Sequence, residues 1–292
     1  MKRRGALRRG RRTRLWLGVA ACTLALQGAA LALPKNMTDQ ELVNTLSSGD
    51  ARERAEACER LGDQKNTLAI PQVGQAAEKD SSIKVRETCI EALSKMPGPE
   101  SAAVLRRIAA TDPNEAMRLE ALDGLEEVDT EEAAIPIVVQ ILKNDSSVRV
   151  RKEAAELIGE QKWKSGIPAL AEVARSSGAP LELRRACLEE LFEMGDPSAY
   201  AVVYEILHSS DAVELRRKAA SMIEKHPPAS AFQPLCQALD DPDKEVAGDA
   251  VKGLVKLGDK SAAPYLREAA QKRSGKLAKK MKEAADKLSK KK

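Results

Sequence analysis

DSSVRVRKEAAELIG, residues 145–159, is the stretch whose spacing decides the fold. Around Arg151, Val150 lies just before, Ala154 and Ala155 follow at plus three and plus four, and Ile158 stands at plus seven. Those offsets trace one face of a helix. Outward along the chain, the same frame fits at Arg54, Arg86, Arg118, Arg184 and Arg216, and, without the arginine, at Ala247. Successive anchors lie 32, 32, 33, 33, 32 and 31 residues apart. A helical pattern at so even a period means stacked helix pairs, because one pair alone cannot bury its apolar face. Between the anchor segments lie first helices with an apolar face of their own, such as residues 134–142 (AIPIVVQIL). The expectation is an all-α, right-handed α-α superhelix of about seven helix hairpins over residues 33–274, closed by a capping helix over 275–292. Pro71, Pro136, Pro168 and Pro264 are expected in the first turns of first helices, where a missing N–H costs nothing. Gly62, Gly159 and Gly195 are expected to end anchor helices in the left-handed conformation.

The formal charge of +4 averages three unlike segments. Residues 1–32 hold eight Lys and Arg and no acid, and residues 275–292 hold eight Lys against Glu283 and Asp286. What remains, residues 33–274, carries 32 basic against 42 acidic residues, a net −10. An acidic body with only 2% aromatic residues is a poor match for a phosphate backbone, so no nucleic-acid partner is expected. The C-terminal segment GKLAKKMKEAADKLSKKK sets Leu277, Met281, Ala284 and Leu288 on one stripe with lysines elsewhere, as suits a solvated cap. A peripheral contact with anionic lipid, through this segment or the N-terminal one, is the second reading.

At the N-terminus, a basic run (MKRRGALRRGRRTR) precedes an apolar run and then Ala30-Leu31-Ala32, the small-x-small pattern of a signal-peptide cleavage site. Cleavage after Ala32 gives a mature start at Leu33 and places the body in the periplasm or cell envelope. Two alternatives stay open: residues 15–33 as an uncleaved inner-membrane signal anchor, and Val19-Ala20-Ala21-Cys22 as a lipobox with Cys22 lipidated. Cys58, Cys89 and Cys187 occupy inward positions of the repeat frame and are expected, with Cys236, to be buried small hydrophobes. A bridge between Cys58 and Cys89, on neighbouring repeats, stays open as the alternative but rests on no spacing rule.

The Val-Arg-x-x-Ala-Ala frame resembles the HEAT-repeat family, in particular the short HEAT-like repeats of the phycobiliprotein lyases, over residues 38–270. The family also places an aspartate six residues before the arginine, here Asp80 before Arg86, Asp112 before Arg118, Asp145 before Arg151, and Asp241 before Ala247. The resemblance implies that these side chains form a hydrogen-bonded ladder between adjacent repeats. Gly178 and Ser210 replace the aspartate, Asp211 comes one residue late, and Ala247 replaces the arginine, so the ladder is expected to be imperfect in the last repeats. The family includes an enzyme that binds di-iron through His-Glu pairs. His208 is followed by Ser209 and His226 by Pro227, so no such pair occurs here.

With no metal-ligand spacing, no Ser-nucleophile elbow and no phosphate loop, no cofactor, metal or catalytic role is expected. What remains is surface. At plus five from the anchors stand Glu59, Glu91, Asp123, Glu156 and Glu189, and at plus two Glu56, Glu120 and Glu153. In the family such positions line the concave face, which implies a carboxylate stripe that grips a basic or extended protein partner, or that only keeps the face soluble. The expected function is a non-catalytic, monomeric protein-binding scaffold or adaptor. The alternative is a lyase-like or other enzyme or enzyme accessory. Trp163, Tyr200 and Tyr204 are read as local packing.

Overall fold

The computed structural model describes residues 32–209 and 212–290. The chain divides into two units, 1–32 and 33–292, and the second carries the whole described core. Of the export features, Cys22 and Ala30 lie outside the described residues, as do Ser210 and Asp211 of the ladder; Ala32 is exposed.

The described residues form α-helices and short 3-10 turns. The first helices are α1 (Asp39–Ser48), α3 (Ile70–Lys79), α5 (Pro99–Thr111), α7 (Glu131–Asn144), α9 (Ile167–Arg175), α11 (Pro197–Ser209), α13 (Phe232–Ala238) and α15 (Ala262–Gln271). The anchor helices are α2 (Ala51–Asp63), α4 (Ile83–Lys95), α6 (Glu115–Val128), α8 (Val148–Glu160), α10 (Leu181–Glu193), α12 (Val213–Lys225), α14 (Lys244–Leu257) and α16 (Gly275–Ser289). First helices pack on first helices of the next pair and anchor helices on anchor helices, giving two layers. The plus-seven residues Leu61, Leu93, Leu125, Ile158, Leu191, Ile223 and Leu254 are fully buried. Burial of each such side chain contributes about 1.5–3 kcal/mol. The Lys-rich segment closes the array as the expected capping helix. It forms the anchor-layer helix of an eighth pair, packed on α15 and α14, with Met281, Ala284 and Leu288 buried and Leu277 partly so.

Local chemistry explains where the anchor helices start. Asp80, Asp112, Asp145 and Asp241 each accept the backbone N–H two residues on, from Ser82, Asn114, Ser147 and Asp243, at 2.8 Å. These Asx turns set the chain for helix entry, and Asn114, Ser147 and Asp243 then cap the helix with their own side chains. The same aspartates reach back to the arginine of the preceding repeat. Arg54 grips Asp80 at 2.6 and 2.8 Å, Arg86 pairs with Asp112, Arg118 holds Asp145 at 2.8 and 2.9 Å, and Arg216 meets Asp241 at 2.8 Å. Each ladder aspartate therefore serves its own helix start and its neighbour's arginine. Among the described residues the ladder is interrupted at Gly178, which has no carboxylate to offer Arg151, and Arg151 donates to the Leu142 carbonyl at 2.8 Å. Arg184 donates to the Ala174 carbonyl at 3.0 Å. The ladder then resumes at Arg216 and Asp241, and Arg273 supplies a donor to the Asp241 carbonyl where Ala247 has none.

Three local expectations are corrected. Cys58 and Cys89 are joined in a disulfide between α2 and α4, with Cα atoms 5.0 Å apart, because plus four of one anchor helix meets plus three of the next. Cys187 and Cys236 are free and buried, and burial pushes the Cys187 thiol up to about 12. Gly195 is left-handed (φ 69°), but Gly62 and Gly159 lie inside their helices, and the left-handed residues there are Lys65 and Lys162, three positions on. Gly62 is needed for space: a Cβ there would stand 2.7 Å from the Ala92 Cα of α4. Pro136 sits inside α7, which begins five residues earlier at Glu131, whereas Pro71 and Pro168 do occupy first turns.

Candidate functional site

The predicted stripe is spread over five anchor helices, and its members have different surroundings. Glu56 on α2 is engaged internally: one oxygen accepts the Leu33 N–H at 3.0 Å and the other the Arg60 guanidinium at 2.5 Å. Those contacts, the Leu33 N–H first, hold its carboxyl below the usual range. Glu59 is exposed. Glu189 on α10 is paired with Lys218. Glu156 lines an open cavity of about 240 Å³ between α8 and α10, where Lys152 and Arg185 face Glu182, Glu189 and Glu190, so charge there is mixed. Glu153, on the same helix, is half-buried and engaged in its own interactions.

Acidic charge concentrates on α4 and α6, where Glu87 pairs with Lys84 at 3.1 Å on the exposed face of α4. Asp123 is exposed and Glu120 half-buried beside it. Burial, then the charges of Asp123, Glu87 and Glu91, push the Glu120 carboxyl up to about 7, with Lys84 opposing weakly. Further along α6, burial together with Glu160, Asp123 and Glu127 raises Glu126. Glu91 pairs with Lys95 at 3.1 Å, but Lys95 is shared with Asp63 at 2.9 Å. The stripe thus contracts to an acidic patch of Glu87, Glu91, Glu120 and Asp123. Glu87, one residue after the anchor, lay outside the plus-two and plus-five rule. What marks it is the charge of its neighbours on the next helix, a relation across repeats.

Among the described residues, no group of three or more His, Cys, Asp or Glu is placed to hold a metal ion. The patch acts through summed charge over a surface, which attracts a cationic group without fixing one geometry. The aromatic residues are occupied locally. Trp163 is buried, Tyr200 stacks on Tyr204 with centroids 6.2 Å apart, and the Tyr204 hydroxyl meets that of Ser230 at 2.8 Å. No helix among the described residues is long and apolar enough to cross a membrane. The apolar stripe of α16 is turned into the solenoid, which leaves its lysines at the surface.

The sequence matches the family of HEAT repeats over residues 40–133, 135–215 and 201–285. No curated protein matches it significantly. Among solved structures, the complex of CpcE and CpcF of phycocyanin lyase from Nostoc sp. PCC7120 is similar at 16% identity and a TM-score of 0.44, covering 91% of this chain and 100% of that one. Human deoxyhypusine hydroxylase is similar at 17% identity and a TM-score of 0.36, covering 78% and 98%. The TSC2 N-terminus is similar at 15% identity and a TM-score of 0.50, covering 86% and 81%. At such identities the likeness is one of fold.

Proposed function

The chain belongs to the HEAT-repeat family, and from that premise we propose that it is a non-catalytic adaptor of the cell envelope that binds a basic segment of a partner protein on the acidic patch of α4 and α6. One observation carries the reading: four carboxylates, Glu87, Glu91, Glu120 and Asp123, are gathered on α4 and α6, where burial, then the charges of Asp123, Glu87 and Glu91, push the half-buried Glu120 up to about 7. The repulsive share of that shift is a standing cost to the free protein, and a docked lysine or arginine relieves it. The gain is realised only on binding, so the patch favours a cationic partner over a neutral one. Two further features support the envelope location: the basic and apolar layout of residues 1–32, and the Cys58–Cys89 bridge, a bond typical of oxidising compartments.

The test is site-directed photocrosslinking in the native cells from position 123, with position 252, a lysine at the same plus-five offset on α14, as the comparison. The expected result is one dominant protein adduct from 123, absent from 252. Reversal of Glu87, Glu91 and Glu120 to lysine, with the crosslinker kept at 123, then weakens binding of that partner at least tenfold and flattens its salt dependence, with helicity unchanged. An adduct that forms equally in the triple variant overturns the reading.

A further inference from the structure

The chain enters the solenoid through a short segment held by two side chains of α2. Leu33 is only 8% exposed although Ala32 and Pro34 on either side are exposed. Its N–H donates to one oxygen of Glu56 at 3.0 Å, while its carbonyl accepts from Arg60 at 2.7 Å and the Pro34 carbonyl accepts from Arg60 at 2.6 Å. Arg60 also closes on the second oxygen of Glu56, one helical turn away, at 2.5 Å. Three backbone groups of two consecutive residues are therefore fixed by one ion pair. Everything from Leu33 onward belongs to the packed unit, and Ala32 does not.

We propose that the Ala32–Leu33 peptide bond is a processing site and that Glu56 is the receptor for the α-ammonium released there, so that cleavage completes the N-terminal end of the solenoid. Hydrolysis adds one water across the bond, leaving a carboxylate on Ala32 and an ammonium on Leu33. In the uncut chain the Glu56 oxygen facing Leu33 holds a neutral amide. After the cut the same oxygen holds a cation, which adds a charge–charge attraction to a hydrogen bond that the carboxylate already strengthens. Arg60 stays on the other oxygen, so each takes one positive partner. The burial of Leu33 requires the cut to precede docking of this segment, which suits a peptidase that meets the chain before it folds. Glu56 then belongs to this socket and not to the partner-binding surface.

The inference rests on the export reading, and two measurements separate their fates. Mass mapping of the protein recovered from native envelopes is expected to show a start at Leu33; an intact N-terminus, or any other start, overturns the processing site, whereas absence of the protein from the envelope fraction overturns the export reading. Independently, residues 33–292 are compared with residues 32–292, whose one additional residue moves the ammonium away and returns an amide to Glu56. The shorter form is expected to unfold about 2–4 °C higher. Glu56→Gln should abolish that difference. Equal unfolding temperatures of the two wild-type forms overturn the socket, whatever the native start proves to be.

Discussion

Arg118 and Asp145 show what a ladder pair does at the scale of a residue. Their side chains are only 10% and 7% exposed, and the guanidinium makes two hydrogen bonds to the carboxylate and one to the Asp112 carbonyl. Removing one partner leaves a buried charge without its counter-ion, so Asp145→Ala is expected to lower the unfolding free energy by about 3 kcal/mol in urea titration. The same change also deprives Ser147 of an acceptor for its N–H. Glu120 presents the opposite case, a charge the folded state does not want. Its carboxyl is raised to about 7, so the folded chain binds more protons than the unfolded one from the ordinary carboxylate pKa up to about pH 7. The resulting cost is absent in acid and fully present above neutrality. After allowance for solvent screening, Glu120→Gln is expected to stabilise the protein by about 1 kcal/mol at pH 8 and to have no effect at pH 4. Stability curves at the two pH values check the sign.

Helices in this array approach closely because small residues stand where they cross. Gly62 of α2 lies against Ala92 of α4, with room for no further carbon: an added Cβ would be 2.7 Å from the Ala92 Cα and 2.8 Å from its Cβ. Alanine is the better helix former by about 1 kcal/mol, yet at this position the clash is with backbone, which cannot rotate away. Gly62→Ala is expected to destabilise by about 1–3 kcal/mol, because α2 and α4 must separate. A gain in thermal stability would show that the crossing is looser than described. The disulfide joins the same two helices, so this junction is both tight and covalently fixed.

For the whole molecule, stability is a sum over neighbouring pairs, and the bridge at one end weighs on that sum. Cys58 and Cys89 are 31 residues apart, and closing a loop of about that length restricts the unfolded chain by about 3–4 kcal/mol. Reduction under native conditions is expected to lower the melting temperature by several degrees, with the N-terminal repeats exchanging amide hydrogen first; unchanged melting would remove the bridge from the account. The all-helical class, the period and the buried frame were legible because a helix face repeats every 3.6 residues and the anchors recur every 31 to 33. The six-residue offset of aspartate from arginine was also visible, but the partner was not. Asp80 serves Arg54, which lies 26 residues earlier, and only stacking of the repeats brings the two together. The carboxylate stripe was legible as a row of letters, while its division into the engaged Glu56 and Glu189 and the crowded Glu120 and Asp123 was set by residues on adjacent helices. Sequence by itself determined what each repeat is, since periodicity is a local property of the chain. Tertiary structure alone decided which cysteines bond, which glycines fill a crossing and which carboxylates are left without a counter-charge, because those depend on distances between repeats that spacing along the chain does not measure.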